Sequence, residues 1–336
     1  MKAIVQNGFG DPLQVLSISD VPKPILTNPN HVLVQVYATS VNTPDWASTL
    51  GLPYILRPIF GGIWLYPRNR IMGSDVAGIV EEVGSNIHHL QVGDEVFGST
   101  GDWLLGAFAE YALVPGESLI RKPSEWTFEE AAGAVMSGIT ARAAIRDVAK
   151  CQPGMHILIN GASGSIGTLS VQMAKADGAI VTGVCSTKNV DLVKSLGADS
   201  VIDYTQEDYT QGEEGTYDVI LDNVLNREFR ESAKVLKPKG FVIPNAIATE
   251  RSKWYGSLPL FFLSKPKDYP TVECKPSRDH LQEVADWMTS RKMTVLIDTV
   301  YSMEDAGKAV AHMASHRARG QIIIRIKTTT KEKEQG

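Results

Sequence analysis

The chain predicts an α/β protein in two parts, a small β-barrel or sandwich and a doubly wound parallel sheet. Three observations carry this. Residues 1 to about 126 hold short apolar stretches separated by glycine turns, the signature of a compact all-β unit. From Thr127 the hydrophobic period changes, and strand-like and helix-like stretches alternate, as βαβ units over a parallel sheet require. The chain has 336 residues, 43% hydrophobic and 21% charged, which suits about two globular domains with sizeable cores.

In order, Met1-Lys2-Ala3-Ile4-Val5 enters a strand at once and has no signal-peptide pattern. Strands are expected at 32–36, 76–84, 92–98 and 108–114. Helices at 128–136 and 140–148 open the second part. Strands at 156–160, 179–184, 200–203, 217–221 and 240–243 then alternate with helices near 165–176, 189–196 and 227–236. Residues 249–275 are irregular and carry Trp254, Tyr255, Phe261, Phe262 and Tyr269; a loop this long carries function or covers a partner surface. Helices near 278–290 and 303–315 and a strand at 321–326 close the chain, before a polar tail expected to be disordered.

The most informative stretch is Gly161-Ala162-Ser163-Gly164-Ser165-Ile166-Gly167, between the apolar strand Ile157-Leu158-Ile159 and a helix with Leu169, Val171, Met173 and Ala174 at helical spacing. Glycines in a strand–turn–helix context let the backbone approach a pyrophosphate, and the helix N-terminus supplies N–H groups and a positive dipole end. Ser163, Gly164, Ser165, Ile166 and Gly167 are therefore candidate dinucleotide contacts. An acidic residue about 20 positions on usually binds the adenine-side ribose. Here that slot reads Cys185-Ser186-Thr187-Lys188, with no Asp or Glu between Asp177 and Asp191. Hydroxyls and an ammonium suit a 2′-phosphate, so Ser186 and Lys188 predict NADPH over NADH. The competing reading has Ser186-Thr187 capping the next helix and Lys188 solvated.

The net charge of −5 gives no basic field for nucleic acid. Cys151, Cys185 and Cys274 are scattered and odd in number, which disfavours a disulfide scaffold and fits a reducing, cytoplasmic setting. No apolar run is long enough for an integral membrane segment.

Several further segments carry a family resemblance: Val41-Asn42-Thr43-Pro44-Asp45-Trp46, Gly73-Ser74-Asp75-Val76-Ala77-Gly78, Val92-Gly93-Asp94-Glu95-Val96, Gly106-Ala107-Phe108-Ala109-Glu110-Tyr111, Asn160 to Gly167, Leu196-Gly197-Ala198-Asp199 and Arg319-Gly320-Gln321. With them the chain resembles the medium-chain dehydrogenase/reductase superfamily, specifically its zinc-free quinone oxidoreductase branch. Within it, the chain looks nearest the NADPH-dependent reductases of activated alkenes that include the chloroplast-envelope quinone oxidoreductase homologues. The resemblance implies a GroES-like β-barrel catalytic domain from 1–126 and 276–336, with a Rossmann NADPH-binding domain, 127–275, inserted. It also implies that cofactor and substrate lie between them, and that the protein is a homodimer joined through the Rossmann sheet edges.

Zinc-dependent relatives place a cysteine and a His where this chain has Asn42-Thr43-Pro44-Asp45, and Gly-His-Glu where it has Gly73-Ser74-Asp75. Those ligands are missing here, so no metal is expected. Conjugate reduction needs a metal less than alcohol oxidation does, because hydrogen-bond donors and water can stabilise the charge that spreads onto the carbonyl oxygen. His88-His89 reads as solvated surface.

The resemblance assigns the remaining site residues. Asn42 would orient the nicotinamide ribose or a substrate oxygen, and Asp45 would fix the loop; capping of the helix near Pro44 explains both equally well. The branch's tyrosine two residues after this Asp is replaced by Ala47, leaving Tyr54 or Tyr66 as substitutes or as packing. Thr140 would reach the cofactor or pack in its helix. Tyr204 would bind the adenine-side phosphate. Asn223 and Val224, with Asn226, would line the nicotinamide half, and the backbone near Asn245 would touch the carboxamide. Arg319 and Gly320 would return the last segment to the cleft. The apolar stretch Leu56 to Tyr66, with Phe261 and Phe262, would form a substrate mouth, or else dimer or core packing. The expected function is hydride transfer from NADPH to a small-molecule quinone or α,β-unsaturated carbonyl. The alternative is a non-catalytic NADPH-binding structural or redox-sensing protein.

Overall fold

The structure is a computed structural model. It describes all residues except 52–66, 68–69, 102–104, 246–269, 291 and 329–336. Strands β1 (Lys2–Gln6) and β2 (Leu16–Asp20) flank one helical turn, α1 (Pro12–Val15). β3 (His31–Val41) leads into α2 (Thr43–Leu50), followed by β4 (Asp75–Val83), β5 (Glu95–Ser99), β6 (Tyr111–Pro115) and β7 (Leu119–Arg121). Helix α3 (Phe128–Arg142) runs on into a π-helical turn, Ala143–Val148. Then come β8 (His156–Asn160), α4 (Ser165–Ala176), β9 (Ile180–Cys185), α5 (Val190–Ser195), β10 (Ser200–Asp203), β11 (Tyr217–Asp222), α6 (Phe229–Ala233) and β12 (Leu236–Pro244). α7 (Arg278–Thr289), β13 (Ile297–Ser302), α8 (Ala306–Ala314) and β14 (Gln321–Arg325) complete the described elements.

These elements form two compact units. The first comprises residues 1–139, 275–289 and 297–336. Its main sheet is mixed, in the order β13-β14-β3-β4-β5-β7, with β6 also paired to β3. In the first half of the long β3, Val32, Val34 and Val36 share one face, against Val76, Val80, Val96, Val114 and Leu119, as the period-two geometry of a strand dictates; Leu33 on the other face is buried as well. The start of α3 belongs to this unit: Phe128 stacks on Tyr37, Glu129 pairs with Arg325, and Ser137 donates to Gln321.

The second unit comprises residues 140–274 and 290–296. Its sheet is wholly parallel, in the order β10-β9-β8-β11-β12. Strand order reverses between β8 and β11, the crevice position where ligands bind in such sheets. Ile157, Leu158 and Ile159 of β8 are fully buried, as expected of a central parallel strand covered on both faces. The Gln172 side chain clamps residue 294 in both directions: it donates to the Thr294 carbonyl at 3.0 Å and accepts the Thr294 N–H at 2.9 Å.

Most expected elements lie where the periodicity puts them, with local differences. The helix near 227–236 shrinks to α6, because the chain leaves it at Lys234 and Leu236 already pairs with Tyr217 in β12. The strand at 108–114 begins only at Tyr111; Ala109 makes a single bridge to Ala3. β2, β7 and β13 lie outside the expected strands. β7 has only three residues; β2 alternates polar and apolar residues and β13 mixes them, mostly half-exposed, so neither makes an apolar run. Tyr54, Tyr66, the Leu56–Tyr66 stretch, most of 249–275 and the end of the tail lie outside the described residues.

Candidate functional site

In the second unit the candidate residues gather at the switch point. Register places Asn160, the last residue of β8, opposite Asp222, the last of β11. Asn160 Nδ2 donates to Asp222 Oδ1 at 2.8 Å and to Asn226 Oδ1 at 3.2 Å. The same Asp222 oxygen accepts the N–H groups of Val224 and Leu225. Asn223 Nδ2 donates to the Asn160 carbonyl, and Asn245 Nδ2 to Asn223 Oδ1 at 2.7 Å. Asn223, Val224, Asn226 and Asn245 are thus held on one frame, whose anchors Asn160 and Asp222 are both buried. Burial raises the Asp222 carboxyl above its ordinary pKa, opposed by the Leu225 and Val224 N–H groups and the Asn160 amide. Leu225 sits at φ 55°, a costly conformation for a γ-branched residue. That turn leaves Val224 exposed beside the glycine loop.

The loop itself demands glycine. Gly161 has φ +78°, and a Cβ on Gly167 would lie 2.1 Å from the Gly161 carbonyl oxygen. Helix α4 therefore starts hard against the loop. Gly164 is its N-cap, without a side-chain cap, and a Cβ there would meet nothing nearer than 3.5 Å. This open backbone face at a helix N-terminus fits a pyrophosphate. Ser163, Ser165 and Ile166 on the same turn are half-buried.

The ribose slot lies at the ends of β9 and β10. Ser186 caps a 3₁₀ turn, Thr187–Asn189, but its side chain makes no capping hydrogen bond. Lys188 and Tyr204 are exposed. Asp203 is held below its ordinary pKa by the Thr187, Thr205 and Gln206 side chains and the Thr205 N–H. Asn189, which sequence reasoning passed over, is buried behind this slot. Thr140 is also buried, its hydroxyl 3.0 Å from Cys274 Sγ.

The first unit holds a separate polar cluster. Asn42 caps α2 with its backbone and turns its side chain away, donating Nδ2 to Asp75 Oδ2 at 2.8 Å and to Ser40 Oγ at 3.0 Å. Asp75 also accepts from the Ser40 hydroxyl and, more distantly, from the Met136 N–H. Asp45 accepts the Asn42 N–H on one oxygen at 2.7 Å and the Gly73 N–H on the other at 3.2 Å. Burial pushes the Asp45 carboxyl up to about 7, with the nearby Asp75 charge adding to it. Burial likewise pushes Asp75 up to about 6 against its hydrogen bonds. Gly320 is buried at φ +90° and Arg319 is exposed. His89 accompanies an exposed His88 and hydrogen-bonds the Gly116 carbonyl. Among the described residues no group of three His, Cys, Asp or Glu side chains could hold a metal ion. No described helix is long and apolar enough to cross a membrane.

Family models agree with both halves of this architecture. Residues 28–124 match the alcohol dehydrogenase GroES-like domain, and residues 196–324 match the zinc-binding dehydrogenase domain. A trans-enoyl reductase of Aspergillus terreus is 30% identical over 90% of this chain and 88% of its own length. A chloroplastic quinone-oxidoreductase of Triphysaria versicolor is 29% identical over 96% of this chain and 98% of its own. Among solved structures, a quinone oxidoreductase from Coxiella burnetii superposes with a TM-score of 0.84 at 25% identity, covering 97% of this chain and 99% of that one. The fold is a GroES-like domain plus a Rossmann domain, and the class is oxidoreductase. The chain belongs to the medium-chain dehydrogenase/reductase superfamily, as a quinone-oxidoreductase-like member.

Proposed function

We propose that the protein is an NADPH-dependent, zinc-independent reductase of quinones or α,β-unsaturated carbonyls. The observation that carries this reading is the state of the Asn42–Asp45–Asp75 cluster. It occupies the segments where zinc-dependent relatives hold their metal, and it offers no thiolate or imidazole, only two carboxylates already engaged in internal hydrogen bonds. Asp45 uses both oxygens on backbone N–H groups, and Asp75 accepts Ser40 and Asn42. Zinc needs about four converging ligands with free lone pairs. The names of the enoyl reductase and quinone-oxidoreductase relatives point to the same acceptors.

NADPH, when bound, supplies the hydride that adds to the conjugated substrate. The backbone of the loop from Ser163 to Gly167 would hold its pyrophosphate, Ser186, Lys188 and Tyr204 its adenine-side phosphate, and Asn223, Val224, Asn226 and Asn245 its nicotinamide half. Thr140, Arg319 and Gly320 complete the proposed contacts. Asn42 has both amide N–H groups committed inward, so it offers an acceptor, Oδ1. We therefore assign it to a ribose hydroxyl of the cofactor and not to the substrate carbonyl oxygen, which needs donors. Asp45 holds the start of α2 and the Gly73 backbone in place. Water returns the proton, since both buried carboxyls are turned into internal hydrogen bonds. The working domains in this proposal are 1–126 with 276–336, and 127–275. The partner is a second copy joined through the edges of the parallel sheet, one of which is β12. We place the protein in the cytoplasm, in keeping with its three free cysteines.

The test is NADPH oxidation by the full chain with 9,10-phenanthrenequinone and with a medium-chain 2-enal, with and without a metal chelator. Turnover on one acceptor, unaffected by chelator, is the expected result. Cofactor binding without turnover on either favours the non-catalytic alternative, and a Michaelis constant for NADH at or below that for NADPH overturns the cofactor assignment.

A further inference from the structure

Asn189 is 5% exposed and stands between the glycine loop and the ribose slot. Its Nδ2 donates to Ser163 Oγ at 3.0 Å and to Ser186 Oγ at 3.4 Å. Its Oδ1 is buried without a hydrogen-bond partner, an arrangement that costs free energy and calls for an explanation. One amide therefore ties together two hydroxyls from segments 23 residues apart in the numbering, Ser163 and Ser186.

A hydroxyl has one hydrogen and two lone pairs. When its oxygen accepts from an amide behind it, its hydrogen is free to point the other way. Both hydroxyls here accept from Asn189, so both can present O–H donors away from it. An anion with several acceptor oxygens is what such a pair recognises. Thr187 is differently occupied, sharing a hydrogen bond with Thr205 at 2.9 Å and helping to hold Asp203. The Asp203 carboxylate, the one negative group ending β10, is thereby supplied with donors of its own.

We propose that Asn189 is a specificity-determining positioning residue: by holding Ser163 and Ser186 through their oxygens, it turns their hydrogens toward the 2′-phosphate and selects the phosphorylated dinucleotide. This rests on the NADPH reading above and deepens it. Asn189 acts through Ser186 and Ser163 and does not itself touch the phosphate.

The experiment is calorimetric binding of 2′,5′-ADP and of ADP to the full chain, as wild type, Asn189→Ala, Asn189→Asp, Ser186→Ala and the Asn189→Ala/Ser186→Ala double variant. Wild type is expected to bind 2′,5′-ADP at least tenfold more tightly than ADP. Asn189→Ala should cut that preference about fivefold or more while changing ADP affinity less than about twofold, the size expected when a charge-assisted hydrogen bond is misaligned. In the Ser186→Ala background the Asn189→Ala effect should shrink to about twofold or less. Asn189→Asp keeps the size of the side chain and so the fold, but offers acceptors only; it should draw both hydroxyl hydrogens inward and abolish the preference. A wild type with equal affinities overturns the NADPH reading and this inference with it. A wild type that prefers 2′,5′-ADP while Asn189→Asp retains the preference overturns this inference alone, because the hydroxyl hydrogens would then already point at residue 189. Equal losses for both nucleotides in Asn189→Ala also overturn it, as a merely structural role would give them.

Discussion

At the end of β11, Asp222 gathers the Asn160 amide and the Val224 and Leu225 N–H groups on a single oxygen. In the first turn of α2, Asp45 spreads two backbone N–H groups over both oxygens, with Asp75 close enough to raise its pKa. Both sites bury a carboxyl and both use it to fix a turn, yet the wiring differs in a way chemistry can read. A carboxylate that works through one oxygen can be replaced by an amide with its oxygen in the same place. One that works through both cannot, because the amide nitrogen would face an N–H donor. Asp75 stands nearer to Asp222 in this respect, since Ser40, Asn42 and Met136 all approach its Oδ2, and its Oδ1 meets only the Ser74 hydroxyl, which can turn to accept from an amide.

The largest effect is expected from Asp222→Ala, which strands three donors at a buried position and should cost roughly 3 kcal/mol or more in urea unfolding. A loss below about 1 kcal/mol would mean that the frame at the switch point is not held by this carboxyl.

The amide exchanges follow. Asp45→Asn should cost about 2 kcal/mol, while Asp75→Asn and Asp222→Asn should each cost less than about 1 kcal/mol. Equal losses in all three would break the distinction between one-oxygen and two-oxygen carboxyls.

Next comes pH. Asp45 at about 7 and Asp75 at about 6 lie above the 3.8 of an unperturbed Asp. The folded state therefore holds protons that the unfolded state has released between about pH 4 and 7. This contribution is fully present below about pH 4 and is lost as pH rises through 6 to 7. Asp75→Asn removes one of the two ionisations and lowers the other. Measured at pH 4.5 and 7.5, the stability difference should move by roughly 1–3 kcal/mol in favour of the variant at the higher pH. Parallel stability curves for the two proteins would show that the pair does not share its charge in the folded state.

The smallest effect belongs to carboxylates paired at the surface. Lys175 meets Asp199 at 2.6 Å, with both side chains more than a third exposed, and Lys175→Ala should cost below about 1 kcal/mol at moderate salt. A larger loss in thermal unfolding would place Asp199, which also accepts the Val181 N–H, among the structural carboxyls.

Much of this architecture could be read from residues in a row. The glycine loop, the apolar β8 and the helical spacing of α4 depend on local pattern, and they lie where the pattern puts them. The frame around them could not be read so. Asn160 and Asp222 are 62 positions apart and meet only through strand register. Asp75 carries no signal of its partnership with Asn42, because 33 positions separate them. Asn189 reads as an ordinary polar residue at a helix start until the fold sets it behind two serines. β13 makes no apolar run because a half-exposed strand mixes polar residues among its apolar ones, and α6 is shorter than its local pattern suggests because the pairing of Leu236 with Tyr217 of β11 is a tertiary effect.

The two-way clamp between Gln172 and residue 294 has a consequence for how the chain comes to be made. Residue 294 belongs to the second unit, although α7 before it and β13 after it belong to the first. The parallel sheet and α4 leave the ribosome long before their last fastening does. At common elongation rates, the 122 residues between Gln172 and Thr294 take on the order of ten seconds to synthesise. For that interval the Gln172 side chain has only its bond to the Thr168 carbonyl within α4, and the parallel-sheet unit is complete only when nearly the whole chain has been translated.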